Sequence, residues 1–186
     1  MRGGIESFEQ LSAAELTRIV CLEKVKDPEI VGFFEGVLQG GHSQAFEHCA
    51  ETLLVYLQDM NWPVAPYAAS VLRQMSDRVL IPALTSVFEK HSDDEVWMAW
   101  LCVELMEKRP ESCFLNALKP SVMDFIQNCP HWEERIMSIP ALIPVLEPED
   151  FDRLCEQIIS QFELTSLLKE ELKSLRKLFQ STHSPL

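Results

Sequence analysis

Apolar side chains recur along this chain at the three- and four-residue spacing of amphipathic helices. Small polar residues and prolines separate these apolar patterns. Ser12 with Glu15 forms a capping-box signature. Asp27-Pro28 places a cap before a proline at the first helical position, and Asp77 can cap a later helix. No alternating apolar–polar stretch of useful length is present, so the pattern predicts an all-α fold.

Three tryptophans, Trp62, Trp97 and Trp132, lie 35 residues apart. Asp59 and Asp94 each stand three residues before the first two of them. A fixed period of this length, built from two helices, is typical of an α-solenoid. We therefore predict a single domain over 1–186 that forms a right-handed α-solenoid of antiparallel helix pairs. Its predicted parts are an N-terminal helix over 12–24, helix pairs over about 27–61, 62–96, 97–131 and 132–166, and a terminal capping helix over 166–180.

Two short segments carry a more specific signal, Asn61-Trp62-Pro63-Val64 and Asp93-Asp94-Glu95-Val96-Trp97. They resemble the turns of a bacterial family of unknown function that is built from HEAT-like helix pairs. In that family an Asn-Trp-Pro-Val turn precedes an Asp-Asp-x-x-Trp turn. The resemblance covers mainly 45–110, implies HEAT-like pairs and brings no catalytic residues.

The charge balance limits the partners of the chain. There are 16 Lys and Arg against 29 Asp and Glu, which gives a formal net charge of −13. This charge argues against a nucleic-acid backbone or an anionic membrane surface as the partner. No apolar run suits a membrane span or a signal peptide, and the six cysteines form no C-x-x-C pair. We therefore expect a reduced protein of the cytoplasm.

Classical nucleotide-binding loops need glycine, and no glycine follows Gly41. The earlier Gly36-x-x-x-Gly40-Gly41 lacks the Lys-Ser/Thr of a phosphate loop. We expect no cofactor and no catalytic residue, so the chain is not expected to be an enzyme.

Metal chemistry is also not expected. His48 with Glu51 and His131 with Glu134 have the reverse order of the Glu-x-x-His motif of di-iron bundles. Paired-cysteine zinc spacing is missing as well. Cys49 adjoins His48 and Cys129 lies near His131, but residues one or two apart on a helix point in different directions. A catalytic pair of cysteine and histidine on different helices stays a minor alternative.

Six residues are the candidates for partner binding or for anchoring the repeats. They are Trp62, Asp94, Glu95, Trp97, Trp100 and Trp132. The acidic ones are expected to cap a helix and to face its positive end. The tryptophans either form core anchors between stacked helix pairs or lie on an exposed face, where aromatic side chains commonly bind partner proteins.

These features together favour a non-catalytic protein-interaction module, since solenoids present extended exposed surfaces. A basic protein is the natural partner of so acidic a chain. One alternative is an acidic inhibitor or immunity protein that neutralises a basic protein, and a second is an enzyme of unknown reaction type. The terminal stripe of Leu168, Leu172, Leu175 and Phe179 predicts a docked helix, or one that detaches to bind a partner. The oligomeric state stays open.

Overall fold

A computed structural model of the chain describes residues 12–20 and 28–184. Every regular element in these two ranges is helical, which confirms the all-α class. The α-helices are α1 (Ala13–Ile19), α2 (Pro28–Gly40), α3 (Ala50–Val55), α4 (Ala65–Leu72), α5 (Asp77–Lys90), α6 (Glu95–Leu101), α7 (Ser112–Asn128), α8 (Trp132–Ser138), α9 (Pro148–Gln161) and α10 (Ser166–His183).

Three segments of residues 28–184 have other helical geometries. Ser43–Cys49 and Ile139–Val145 form 3₁₀ helices, and Cys102–Met106 forms a π-helical segment directly after α6. The π geometry is visible in the Glu107 N–H, which donates to the Cys102 carbonyl at 3.0 Å. Such segments change the direction in which the following side chains project.

Several helix boundaries follow the sequence signals. Ser12 and Glu15 form the expected capping box at the start of α1. α2 ends at Gly40, and Gly41 follows with a φ of 71°, where a residue without Cβ meets no strain. Asp77 is the first residue of α5 and does not precede it as a cap. The expected cap at Asp27 and residues 21–24 of the first predicted helix lie outside the described residues.

The chain divides into two compact units, Met1–Val87 and Phe88–Leu186, with the division inside α5. Among the described residues, the core of the first unit contains four buried aromatic rings. Phe33 and Phe34 meet Phe46 with ring centroids 5.7 and 6.3 Å apart, and Phe34 meets Tyr56 at 6.2 Å. This cluster joins α2 to the 3₁₀ helix that follows it and to the residue after α3.

In the second unit, α6 packs on α8, and Ile139–Val145 packs against α7 and α10. α10 is held by the stripe that the sequence predicted, Leu168, Leu172, Leu175 and Phe179, all of which are buried. The Phe179 ring stacks on Phe151 of α9 with the centroids 4.2 Å apart. In the described structure, α10 is therefore a docked helix.

Arg135 is a buried cation that fixes the beginning of α8. Its Nε donates to the Cys129 carbonyl at 2.6 Å, and Nη1 donates to the Gln161 side-chain oxygen at 2.7 Å. The guanidinium lies 5.1 Å from the centre of the Phe162 ring. Burial lowers the pKa of Arg135 because it disfavours the charged form. These contacts join the end of α9 to the turn before α8.

None of the helices in residues 12–20 and 28–184 has the length and the apolar character that crossing a bilayer requires.

Candidate functional site

Asp94, Glu95 and Trp97 together form the start of α6. Asp94 precedes the helix, and its Oδ1 accepts the Trp97 N–H at 3.1 Å, which confirms the cap expected from the sequence. Glu95 is the first helical residue, where a carboxylate interacts favourably with the positive end of the helix dipole. The Trp97 side chain is only 2% exposed and belongs to the core of the second unit. Asp94 and Glu95 are partly exposed, whereas Trp97 is enclosed and presents no free surface to a partner.

The other three tryptophans are partly exposed. Trp100 lies on α6 and Trp132 is the first residue of α8, so the packing of α6 on α8 brings both into one part of the second unit. Trp62 lies in the turn before α4 and belongs to the first unit. Trp97 and Trp100 lie three residues apart on α6, but only Trp97 is fully enclosed.

An apolar groove along α10 is the surface that sequence analysis missed. It consists of two clefts of about 190 and 320 Å³, and both have Glu107, Pro140 and Leu178 in their walls. We call these two clefts the α10 groove. Its other lining residues are Val103, Met106, Pro110, Ile136, Met137, Ala141, Ile143, Pro144, Glu171, Ser174, Leu175 and Thr182. All of them belong to the second unit.

The two irregular segments of the second unit meet at this groove. The π-helical segment provides Val103 and Met106, and the 3₁₀ helix provides residues 140, 141, 143 and 144. Pro140 and Pro144 cannot donate a backbone hydrogen bond, which favours a short irregular helix at this position. π segments are frequent at functional sites because they redirect side chains. The groove therefore depends on deviations from α-helical geometry that helical periodicity does not reveal.

Leu178 is a large hydrophobic side chain of the groove that is 44% exposed. It lies one residue before the buried Phe179 and therefore falls outside the apolar stripe that docks α10. Large exposed apolar residues are few among the described residues, and the only ones are Val96, Leu164, Leu167 and Leu178. Three of these four lie on α10 or just before it, so the unpartnered apolar surface is concentrated at the terminal helix.

The rim of the groove is acidic. Glu107 and Glu171 both line it, and Lys108 is paired with Glu104 one turn earlier on the same segment. Burial raises the pKa of Glu107, the neighbouring Lys108 lowers it, and the carboxylate of Glu104 raises it further. Desolvation of this kind is expected where a carboxylate borders an apolar surface. A cationic group brought to the rim would compensate for it.

The first unit has a different cleft of about 410 Å³ between α3 and α5. Its polar walls are Glu47, His48, Glu51, Thr52 and Arg78. The Glu47 carboxylate accepts the Ser76 N–H at 2.9 Å, and its hydrogen bonds with Ser76 lower its pKa. Glu47 therefore binds the backbone just before α5. In the part of the chain that the structure describes, no group of three or more His, Cys, Asp or Glu residues could hold a metal ion.

The described cysteines are poor nucleophiles where they are buried. Burial raises the pKa of Cys102 to about 12, and it raises the pKa values of Cys49, Cys129 and Cys155 as well. Cys129, a candidate for a cysteine–histidine pair, contacts His131 through its backbone: the thiol donates to the His131 carbonyl at 3.4 Å. Sulfur-based catalysis gains no support from this arrangement.

Comparison with known proteins identifies a family. The model of a family described as "Domain of unknown function (DUF5071)" matches residues 34–140, which is more than half of the chain. No curated protein and no solved structure matches. The matched range begins in α2 and ends at Pro140, so it includes one wall of the α10 groove and stops before α10.

Proposed function

We propose that the chain, which belongs to the DUF5071 family, is a non-catalytic protein-interaction module that binds a basic partner through the α10 groove. The observation that carries this proposal is the apolar groove with an acidic rim along α10. The site combines an exposed Leu178 with the carboxylates of Glu107 and Glu171. A partner segment with an apolar side chain flanked by Lys or Arg would cover the first and neutralise the second.

The net charge supports the same partner chemistry. A chain with a formal charge of −13 attracts cationic surfaces over distances of about a Debye length, roughly 8 Å at physiological salt. Such attraction mainly speeds association, whereas the desolvated apolar contacts of the groove would slow dissociation. Nucleic acids and anionic membranes are repelled by this charge and are not proposed as partners of the groove.

The proposal includes the repeat architecture expected from the sequence, a right-handed α-solenoid of HEAT-like helix pairs. The 35-residue spacing of Trp62, Trp97 and Trp132 supports it. The short connections between successive helices are also typical of helical repeats.

A test of the groove compares two leucines on the same helix. The tagged chain and its variants Leu178→Lys and Leu167→Lys are used to retain proteins from a lysate of the source cells at low and moderate salt. Both leucines are exposed, at 44% and 58%, but only Leu178 lines the groove. We expect a basic protein that binds the unmodified chain and Leu167→Lys, elutes as salt rises, and is lost with Leu178→Lys.

The retained protein is then purified, and its affinity for the three chains is measured by titration calorimetry. An apolar anchor replaced by a charge is expected to weaken binding at least about tenfold. Equal affinity for Leu178→Lys and the unmodified chain would contradict the proposed site. A retained protein that is acidic would contradict the proposed partner chemistry.

A further inference from the structure

The opposite flank of α10 carries a cluster of cations beside a separate cleft of about 320 Å³. We call Lys169, Lys173, Arg176 and Lys177 the basic flank. Their spacing of four, three and one residues places them on neighbouring positions of one side of the helix. The rest of this cleft is lined by Ile159, Leu164, Leu172 and Gln180. It shares no residue with the α10 groove.

The charges of the basic flank are weakly compensated. Lys173 lies 3.8 Å from a Glu170 carboxylate oxygen, and both side chains are more than 60% exposed, so this pair contributes little. Across residues 12–20 and 28–184, Lys169, Arg176 and Lys177 form no ion pair. Arg176 lies near the buried thiol of Cys155 and lowers its pKa against the larger effect of burial. A chain with 29 acidic residues thus leaves these three cations without carboxylate partners in the described ranges.

The floor of the cleft is apolar, and this limits what can bind there. Leu164 is 40% exposed and Ile159 is partly exposed, beside the buried Leu172. A polyphosphate or a nucleic-acid backbone would pair with the cations but leave these apolar side chains in water.

We propose that the basic flank is a second docking surface, which binds an acidic amphipathic segment of another protein. Carboxylates of that segment would pair with Lys169, Lys173, Arg176 and Lys177, and an apolar side chain would cover Leu164 and Ile159. Recognition of this kind combines charge complementarity with an apolar anchor in a shallow groove. The proposal does not depend on the function proposed for the α10 groove, because the two surfaces have different residues and opposite charge.

Selection from a random peptide display library, with the full chain as bait, tests this surface even though its natural partner is unidentified. We expect the enriched peptides to carry Asp or Glu interleaved with apolar residues. Their binding to the full chain is then measured by fluorescence anisotropy. The double variant K169E/K177E is expected to weaken it by about tenfold or more, since two attractive pairs become repulsive.

The control variant is K90E/R153E, which changes the formal charge equally at two exposed cations away from the cleft. Unchanged affinity for this variant and for Leu178→Lys would support the basic flank specifically. If K169E/K177E and K90E/R153E weakened peptide binding equally, the net charge alone would explain the loss of affinity, and the proposal would be overturned. Enrichment of non-acidic peptides would overturn it as well. Tighter binding of inorganic polyphosphate than of the peptides would also overturn the proposal. Self-association of the full chain that K169E/K177E abolishes would overturn it too, because the occupant would then be a second copy of the chain.

Discussion

Asp94 offers a direct test of the start of α6 at the scale of a single residue. Its carboxylate accepts the Trp97 N–H at 3.1 Å, so Asp94→Ala leaves one backbone donor of the first turn without its partner. We expect this change to lower the free energy of unfolding by about 1 kcal/mol, as N-cap replacements do. Denaturant unfolding followed by circular dichroism measures the loss.

The neighbouring Asp93 provides the matched control, since its side chain is exposed and α6 is capped by Asp94. Asp93→Ala is expected to change stability by less than about 0.5 kcal/mol. Equal losses for the two variants would mean that charge near the helix start, and not the hydrogen bond, stabilises α6.

At the scale of single residues, the sequence predicts local hydrogen bonds better than it predicts which side chains are exposed. The caps formed by Ser12 with Glu15 and by Asp94 depend on neighbours within three residues, so the sequence reveals them. Exposure depends on which face of a helix packs on other helices. Nothing in the sequence distinguishes Leu178 from the apolar residues of the neighbouring stripe, so its place in the α10 groove could not be predicted.

At the scale of the elements, periodicity predicted the helices but not their geometry. The tryptophans recur every 35 residues, yet Trp62 lies in the turn before α4, Trp97 is the third residue of α6 and Trp132 is the first of α8. The tryptophans are thus evenly spaced along the chain, but they do not occupy equivalent positions in their helices. The π-helical segment after α6 leaves no local signature, because its residues are ordinary helix formers.

The docking of α10 leads to a prediction that separates its buried stripe from its exposed flank. Phe179 is buried and stacks on Phe151 at 4.2 Å, so Phe179→Ala removes a packed ring from the core. We expect it to lower the free energy of unfolding by about 3 kcal/mol, the lower end for large aromatic truncations in cores. Thermal and urea unfolding of the full chain measure this loss.

Leu178→Ala is the control on the neighbouring residue, because Leu178 is 44% exposed and makes a smaller contribution to packing. Its expected cost is below about 1 kcal/mol. If Phe179→Ala were no more costly than Leu178→Ala, α10 would not be firmly docked in solution. The alternative of a detachable terminal helix would then be favoured.

At the scale of the whole molecule, the single domain expected from the sequence stays a prediction, and the chain divides into two compact units inside α5. Composition could not reveal this division, because acidic and basic residues are spread over both halves of the chain. The net charge is the property that the sequence establishes best, and it applies to the molecule as a whole. The negative net charge favours a basic partner for the α10 groove. The basic flank is an exception to it, because four cations lie together there.

The same net charge predicts how salt affects stability. At neutral pH the formal charge of −13 produces self-repulsion in the folded chain, and added salt screens it. We expect the melting midpoint to rise between about 10 mM and 300 mM NaCl, because the Debye length falls from about 30 Å to less than about 8 Å. A gain of about 1 kcal/mol corresponds to roughly 2–4 °C for a chain of this size.

Differential scanning calorimetry measures the shift of the melting midpoint. Its control is the same salt series at pH 4.5, where many carboxylates are protonated and the rise should shrink. A midpoint that does not change with salt at neutral pH would show that the carboxylates are already balanced by local contacts, and long-range attraction would then contribute little to the capture of a basic partner.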